Sequence, residues 1–586
     1  KSYLWRDIID LMKKYSVREE ISENAGESLN AYPEILRHLL FYRGIETGDD
    51  AEKFLNPDYD SGIHDPFLMK DMDKAVERIL KAIDGNEKII IYSDYDADGI
   101  PGAVVFHDFF KKIGFNNFEN YIPHRHDEGF GLNMEAVEEF GKSGAKLLVT
   151  IDCGIADVKE VERLNELGID VIITDHHELS GATPPAFAIL NSKQTDCFYP
   201  EKMLCGSGVV FKLVQALIAK KGLDWQIKEG AEKWFLDMVG IATLSDMVPL
   251  TGENRVLAYY GLKVLRKSPR VGLMKLLRKI KVEQRHITEE DIGFTISPRI
   301  NAASRMGVPM DAFKLLSTTD EIVADELSTH LNKINDERKG LVASMVKEMK
   351  HTISAREDSV EKKEAIVLGN PKWKPSLLGL AANTLMQENF CPVFLWGREG
   401  ENILKGSCRS PGNMSLINLM KSLPEGILLD YGGHALSGGF SVSHEKIHLL
   451  ETEIIIALKK IKVDGDDTPQ EVFIDKKLSI DEVNWDTYKA IEKLAPFGAG
   501  NPKPLFLFEK IKIAAIKNFG KEKNHLEISF KKSDGKNISA IGFFMTGDEW
   551  GMELKEGEKI NLVATMEKSM FRGFPELRLR IVDVFK

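Results

Sequence analysis

Short runs of β-branched and other apolar residues alternate with stretches whose apolar positions recur every three or four residues. "EKIIIYSD" (87–94), "AKLLVTID" (145–152) and "IDVIITDHH" (169–177) read as buried strands, while "GAVVFHDFFKKIG", "AVEEFGKSG" and "VKEVERLNELG" between them read as helices. Strands alternating with helices of this length predict a parallel sheet in an α/β fold. Residues 1–75 are helical in pattern and then irregular, a lead-in expected to pack on the α/β segment after it. Further on, Val323, Leu327, Leu331, Ile334, Leu341, Met345 and Met349 repeat at threes, fours and one seven, which predicts a long amphipathic helix around 319–350. The charged "SAREDSVEKKE" reads as a linker. A second α/β unit begins at "AIVLGN". From "EVFIDKKLSI" to "ELRLRIVDV", short alternating strands separated by turns predict a small antiparallel barrel. The expected organisation is 1–75, 76–260, 261–360, 361–464 and 465–586.

Composition changes this picture little. A chain of 586 residues is too long for one core. Its net charge of −12 argues against a surface coated in basic residues, although a local basic channel is compatible with that sum. Residues 503–586 lean the other way, with 16 Lys/Arg against 12 Asp/Glu. Cys153, Cys197, Cys205, Cys391 and Cys408 are scattered without C-x-x-C spacing, which suits a reducing compartment rather than a disulfide frame or zinc knuckle. No run approaches the ~18 apolar residues of a membrane span, and "KSYLWRDIIDLMKKY" is too charged for a signal peptide. The expectation is a soluble, cytoplasmic protein with no membrane association.

The chemistry sits at the strand ends. "SDYDADG" places Asp94, Asp96 and Asp98 at alternate positions before Gly99, as an EF-hand loop opens, but the twelfth position is Val105 rather than a bidentate Glu, so calcium of that kind is excluded. Three strands instead end in acid-rich text: Asp94/Asp96, Asp152, and Asp175-His176-His177. Carboxylates with imidazole suit Mn²⁺ or Mg²⁺, and several Asp converging without a cation would repel one another. Such a set is enough for two ions roughly 3.5–4 Å apart, the arrangement that clamps both oxygens in phosphoester hydrolysis. One Asp at a strand end is commonly a helix cap; three consecutive strand ends are not so explained. An aspartyl-phosphate phosphatase also has D-x-D after a strand, but its chemistry does not call for "TDHH".

"SDYDADG", "TIDCG", "TDHH" and "LSDMVPL" resemble the four ordered motifs of the DHH phosphoesterase superfamily. "PHRHDEGFGLN", "LCGSGVVFKL", "SPRINAASRMG", "GSCRSPGN", "GGHALSGGFSV" and "LAPFGAGNPKPLF" resemble its RecJ branch, the single-strand-specific 5′→3′ exonucleases. The resemblance runs from about residue 35 to the terminal barrel. It implies a DHH domain (76–260), a helical connector (261–360), a DHH-associated substrate-binding domain (361–464) and an OB-fold-like nucleic-acid-binding domain (465–586). It further implies two divalent ions, Mn²⁺ preferred or Mg²⁺, on separate ligands Asp94 and Asp96, with Asp152 bridging and His176 and Asp246 completing the ligands of the second ion. His177 is expected to face the scissile phosphate, with Asp175 orienting its neighbours. Substrate is expected at Ser407 and Arg409, at Gly432, Gly433 and His434, and at Arg299, Asn301, Arg305 and Arg125. Phe530, Phe543, Phe544 and Phe571 are the barrel's stacking candidates. Many relatives carry His where Tyr92 stands, so the first ion is expected to bind more weakly; "WKPS" and Cys408 also depart from the family pattern.

The implied activity is metal-dependent degradation of single-stranded DNA to mononucleotides in repair and recombination, by a monomer that meets single-strand-binding protein or a helicase. Two rivals are a DHH phosphodiesterase for short oligoribonucleotides or cyclic dinucleotides, and an inactive replication or repair scaffold. The second is opposed by the presence of every core aspartate and both histidines.

Overall fold

A computed structural model describes residues 13–179, 181–355, 364–399, 403–412, 414–433, 435–463, 470–520, 523–545, 553–570 and 573–586. The chain divides into two compact units. One comprises His64–Val248 with Tyr260–Asp467; the other comprises Lys1–Ile63, Pro249–Tyr259 and Thr468–Lys586.

The first unit opens on a five-stranded, all-parallel sheet in the order Phe118–Tyr121, Lys88–Ser93, Ala145–Ile151, Asp170–Thr174, Ala188–Leu190. The three central strands are the ones the apolar runs predict, and they are buried on both faces. The two outer strands lie beyond what the pattern predicts: one is short and half polar, the other three residues long, so neither carries a periodic signal. From Lys88–Ser93 the chain crosses to one edge, and from Ala145–Ile151 it proceeds toward the other. The reversal of strand order therefore falls between these neighbours, and a crevice opens beyond their carboxyl ends, where open α/β sheets bind ligands.

Helices Val271–Ile280, Ser297–Met306 and Pro309–Ser317 lead into the 35-residue helix Glu321–Ala355, as the heptad-like spacing predicts. Most of the charged linker after it lies outside the described residues. The second sheet runs Asp430–Gly433, Ser437–Ser443, Ile403–Arg409, Val393–Glu399, Ile366–Gly369, and only its last pair is parallel. Alternation along the strands feeds two cores. Val367, Phe394 and Leu404 pack with Leu450 and Ile454, while Ile366, Leu368 and Val393 pack with Leu377, Leu378 and Met349 of flanking helices.

In the other unit, Phe506–Phe519, His525–Lys531, Asn537–Gly542, Glu576–Phe585 and Lys559–Ser569 close into a barrel. The closure is not wholly antiparallel: Asn537–Gly542 pairs with Glu576–Phe585 in parallel. Two expectations are corrected. As far as Leu55 the lead-in packs on the barrel, because Leu36, Leu39, Leu40 and Leu55 share one core with Phe506, Phe508 and Leu579. From His64 on it packs on the α/β segment as expected, with Lys212 Nζ donating to the His64 carbonyl at 2.6 Å and Lys70 paired with Asp196 at 2.8 Å. The lead-in is also not all helical: Lys13–Val17 forms a parallel strand with Gln470–Ile474, which takes "EVFI" out of the barrel. Helix Met72–Asp84 belongs to the parallel-sheet unit, its buried face running continuously through Ala75, Val76, Ile79 and Ala82. Among the described residues no helix is long and apolar enough to cross a membrane.

Candidate metal centre

The strand ends deliver their acids through tight backbone. Asp94 follows Lys88–Ser93 directly, and the turn to helix Gly99–Lys112 closes so tightly that a Cβ on Gly99 would lie 2.5 Å from the Asp94 carbonyl oxygen. Asp152 follows Ala145–Ile151 with φ +63°, in the left-handed region. Helix Gly206–Lys221 starts against it: a Cβ on Gly206 would lie 2.5 Å from the Asp152 Cβ.

These turns bring together six of the residues expected from sequence. Ligand atoms of Asp94, Asp96 and Asp152 lie within 4.8 Å of one another, as do those of Asp152, His176 and His177, and those of Asp98, His176 and Asp246. His176 Nε2 is 3.1 Å from Asp152 Oδ1, and its Nδ1 is 3.7 Å from Asp246 Oδ2. Asp175 supports the pair from beneath. Its Oδ1 accepts from the backbone N–H of His176 (2.7 Å) and of His177 (3.0 Å), and lies 2.7 Å from His177 Nδ1. Because a carboxylate only accepts, that nitrogen carries the proton. Phe130, 54% exposed, meets the same imidazole edge-on at 5.5 Å.

Asp98, to which sequence assigns no role, belongs to the cluster. Its Oδ2 accepts from Gly206 N–H (2.6 Å) and its Oδ1 from Ser207 N–H (2.8 Å), so it caps the helix that abuts Asp152. The D-x-D-x-D alternation and "LCGSG" are the signals for this contact. Asn301, expected to touch nucleic acid, accepts from Ala97 N–H at 2.8 Å and so holds the same aspartate turn.

The electrostatics fit a cation. Burial, reinforced by neighbouring aspartates, raises the carboxyls of Asp94 and Asp152, moves Asp98 to about 6 and moves Asp246 to about 8. Burial pulls the His177 imidazole down, but the hydrogen bond and charge of Asp175 prevail and raise it to about 9. Asp94 Oδ1 is buried without a hydrogen-bond donor among the described residues, and Asp152 Oδ1 is buried with the His176 Nε2 beside it at 3.1 Å but out of hydrogen-bonding line. Acceptor-only oxygens left bare in this way, mixed with imidazole, are the donor set of hard divalent ions.

Tyr92 is not among them. It is fully buried, stacks on Tyr121 at 5.3 Å and donates its hydroxyl to the Gly131 carbonyl at 2.7 Å. The phenol is committed to the fold.

The arginines expected at substrate converge from separate elements. Arg125 lies over the Tyr95 ring at 4.9 Å. Arg305 donates to the Ser376 carbonyl at 2.7 Å, and burial followed by the charges of Arg125 and Arg338 lowers it to about 9. Arg409 and Ser407 face Gly379, where a Cβ would lie 2.8 Å from Arg409 Nη2. Cys408 buries its side chain in the core, while its backbone carbonyl accepts from Arg409 Nη1 at 2.7 Å. Arg299 differs from the rest: Nε and Nη2 donate to Asn332 and Nη1 to the Thr295 carbonyl. Gly432 and Gly433 are exposed on the Asp430–Gly433 strand; His434 and Phe571 lie outside the described residues. On the barrel Phe530 is core, whereas Phe544 is 76% exposed beside His525, and Arg580 covers Phe543 at 4.0 Å.

The fold and the cluster define a DHH-type domain built to hold divalent metal and joined to a barrel of OB type. Residues 88–243 match the DHH family, N-terminal domain, and residues 474–583 match the RecJ OB domain. The single-stranded-DNA-specific exonuclease RecJ of Bacillus subtilis is 33% identical over 95% of this chain and 68% of its own length. The protein of the same name from Haemophilus influenzae is 30% identical over 97% of this chain and 99% of its own. The crystal structure of RecJ in complex with Mn²⁺ from Thermus thermophilus superposes with TM-score 0.80 at 25% identity, covering 98% of this chain and 80% of that one; a Mg²⁺ complex of the same protein superposes at 0.75. The chain belongs to the RecJ family.

Proposed function

We propose that this protein is a divalent-metal-dependent exonuclease that degrades single-stranded DNA to mononucleotides from the 5′ end, in DNA repair and recombination. The observation that carries this reading is the acid–imidazole cluster at the switch point of a parallel sheet, in a chain that aligns with single-stranded-DNA-specific exonucleases over nearly all its length.

Asp94, Asp96, Asp152, His176 and Asp246 would hold two divalent ions, and Mn²⁺ or Mg²⁺ would suit this donor set. When bound, two such ions polarise the phosphate and lower the pKa of water that attacks it. The chain's own groups do the rest. His177, held protonated on Nδ1 by Asp175, aims Nε2 at the scissile phosphate and donates to an oxygen that gains charge. Asp98 and Asn301 keep the turn and the Gly206 helix in register with Asp152. Ser407 and Arg409 suit a terminal 5′ phosphate, and Gly432 and Gly433 leave backbone N–H groups accessible to one. Arg125 and Arg305 line the path of the strand. The segments 76–260, 361–464 and 465–586 are assigned to catalysis, strand grip and single-strand binding, with 1–75 and 261–360 as lead-in and connector. A monomer acting with single-strand-binding protein or a helicase completes the proposal.

Digestion of 5′- and 3′-labelled single strands, DNA and RNA, with Mn²⁺, Mg²⁺ or chelator tests it. Release of 5′ label as mononucleotide from DNA is expected with either ion and not with chelator. Undigested DNA, or cleavage confined to dinucleotides, sinks it.

A further inference from the structure

Two large apolar side chains that stand far out into solvent lie beside the metal ligands, and neither has a role in the chemistry above. Met247, 74% exposed, is the residue after Asp246. Phe294, 79% exposed, lies on the π-helical turn Ile292–Ile296 that leads into helix Ser297–Met306. The two elements are joined at Ser245 and Ser297, whose hydroxyls are hydrogen-bonded at 2.5 Å. Ser245 precedes Asp246, whose Oδ2 is 3.7 Å from His176 Nδ1. Consecutive Cα atoms are about 3.8 Å apart, which keeps Met247 at the rim of the metal centre. Further along the Ser297–Met306 helix, Asn301 accepts from Ala97 N–H in the aspartate turn, so this helix runs past the cluster with Phe294 just before its start.

The backbone at both places is unusual. Met247 has φ +60°, the left-handed region that a residue with a Cβ resists, and such outliers gather where a side chain must be presented. A π-helical turn is likewise rare outside functional sites. Within it Ile292 and Ile296 are buried, while Gly293 and Phe294 between them are exposed. One exposed apolar residue needs no explanation; two on separate elements, tied together next to a metal ligand, do. Their chemistry states what kind of ligand covers them. A phosphate gains nothing from a phenyl ring or a thioether. A nucleobase has a π-face that stacks on an aromatic ring whatever its identity, and a thioether packs adaptably against such rings.

We propose that Met247 and Phe294 seat the base of a nucleotide flanking the cut phosphodiester, Phe294 supplying the stacking face and Met247 an apolar wall. This rests on the exonuclease reading and adds a subsite that is blind to base identity, as an enzyme advancing along any sequence requires.

The test uses 5′-phosphorylated single strands that lack one base at each of the first positions in turn, with the sugar–phosphate backbone intact. In the unaltered protein, loss of one particular base is expected to raise KM about tenfold, the size of one base–aromatic stack. Phe294→Ala is expected to raise KM about tenfold on the complete strand, to leave kcat within about twofold, and to lose the added penalty at that position alone. Base–base stacking lost with the same base is common to both proteins and cancels in the comparison. Phe294→Trp keeps a stacking face and should restore both KM and the penalty. Met247→Ala should raise KM about threefold, with its effect at the same position. Indifference of the unaltered protein to every missing base overturns the proposal, whether or not the variants fold. So does a Phe294→Ala enzyme that retains the full penalty, or one with unchanged KM on the complete strand, which would leave these side chains to a protein partner. If the unaltered protein fails to degrade the complete strand, it is the exonuclease reading that falls.

Discussion

The aspartate cluster and the arginine cluster are opposite answers to one electrostatic problem. In the first, Asp94, Asp98, Asp152 and Asp246 are driven together until their carboxyls are raised, and bare acceptor oxygens remain. In the second, Arg125, Arg305, Arg338 and Arg409 lie under one another's charge without an ion pair among the described residues, and the Arg338 Nε remains a bare donor. Each is incomplete in the sense that the other could satisfy; among the described residues they form no ion pair with each other, although Arg125 acts on Asp94 and Asp96 on Arg305. A divalent cation completes one and a polyanion the other, and a phosphate bound to metal belongs to both. The difference lies in how they are built. The acids come from consecutive strand ends of one sheet; the arginines come from a loop, two helices and a strand of another sheet.

The largest effect should follow from altering the acid side at its centre. Asp152→Asn preserves shape, and Asn accepts the φ of +63° that Ala would resist. Turnover of single-stranded DNA is expected to fall on the order of 10³-fold, since several kcal/mol of charge stabilisation are lost. Metal-free thermal stability should rise, because one of the mutually repelling carboxylates is gone. Activity near that of the unaltered protein, or lower metal-free stability, breaks the description of this cluster as a cation site.

Metal removal sharpens the same side more gently. At 100 times Kd, Mn²⁺ should stabilise the parallel-sheet unit by about 2.7 kcal/mol, read as a shift of its melting transition. In chelator, Asp98 and Asp246 bind protons more tightly folded than unfolded, with carboxyls at about 6 and about 8. Their contribution is therefore fully present below the unfolded value near 4 and is lost as pH rises through that window. Melting temperature in chelator should drop between about pH 5 and 8, and Mn²⁺ should flatten the curve. A pH-independent metal-free protein contradicts this.

On the arginine side, Arg409→Gln is expected to abolish a preference for 5′-phosphate over 5′-hydroxyl strands of about tenfold, through KM. If the preference persists, the terminal phosphate is held elsewhere.

The two clusters are unequally legible in the sequence. Motifs at strand ends carry their own geometry: the period of two and the switch-point rule place Asp94, Asp152 and His176 with no knowledge of packing. Asp98 is visible in the same motif, but its partners Gly206 and Ser207 lie more than a hundred residues away. Arg338 is hidden entirely, since an arginine on an amphipathic helix looks like any solvated charge until tertiary contacts bury its Nε. The outer strands Phe118–Tyr121 and Ala188–Leu190 escape because three or four residues hold no period, and the lead-in's packing on the barrel is a contact between chain ends.

Tyr92 links the two clusters, and the smallest predicted effect concerns it. Its strand runs directly into Asp94, while its hydroxyl holds Gly131 in the segment that carries Arg125 and Phe130. Where relatives have imidazole, sequence predicts a weaker metal site; the buried phenol, stacked on Tyr121 and donating to a carbonyl, instead gives the position a structural task. Tyr92→Phe keeps the ring and removes one hydrogen bond, leaving the Gly131 carbonyl without its donor. A loss of about 1–3 kcal/mol in stability is expected. The Mn²⁺ concentration for half-maximal activity should not move, because no ligand has changed. KM for DNA should rise slightly as the Arg125 segment loosens against the strand. Tyr92→His loses the stacking as well and should be less stable still, again with unchanged half-saturation. Titrating Mn²⁺ against activity for the three proteins decides the matter. A histidine variant that reaches half-maximal rate at clearly lower Mn²⁺ would show that this position belongs to the metal site after all, and that the tie between the clusters is incidental.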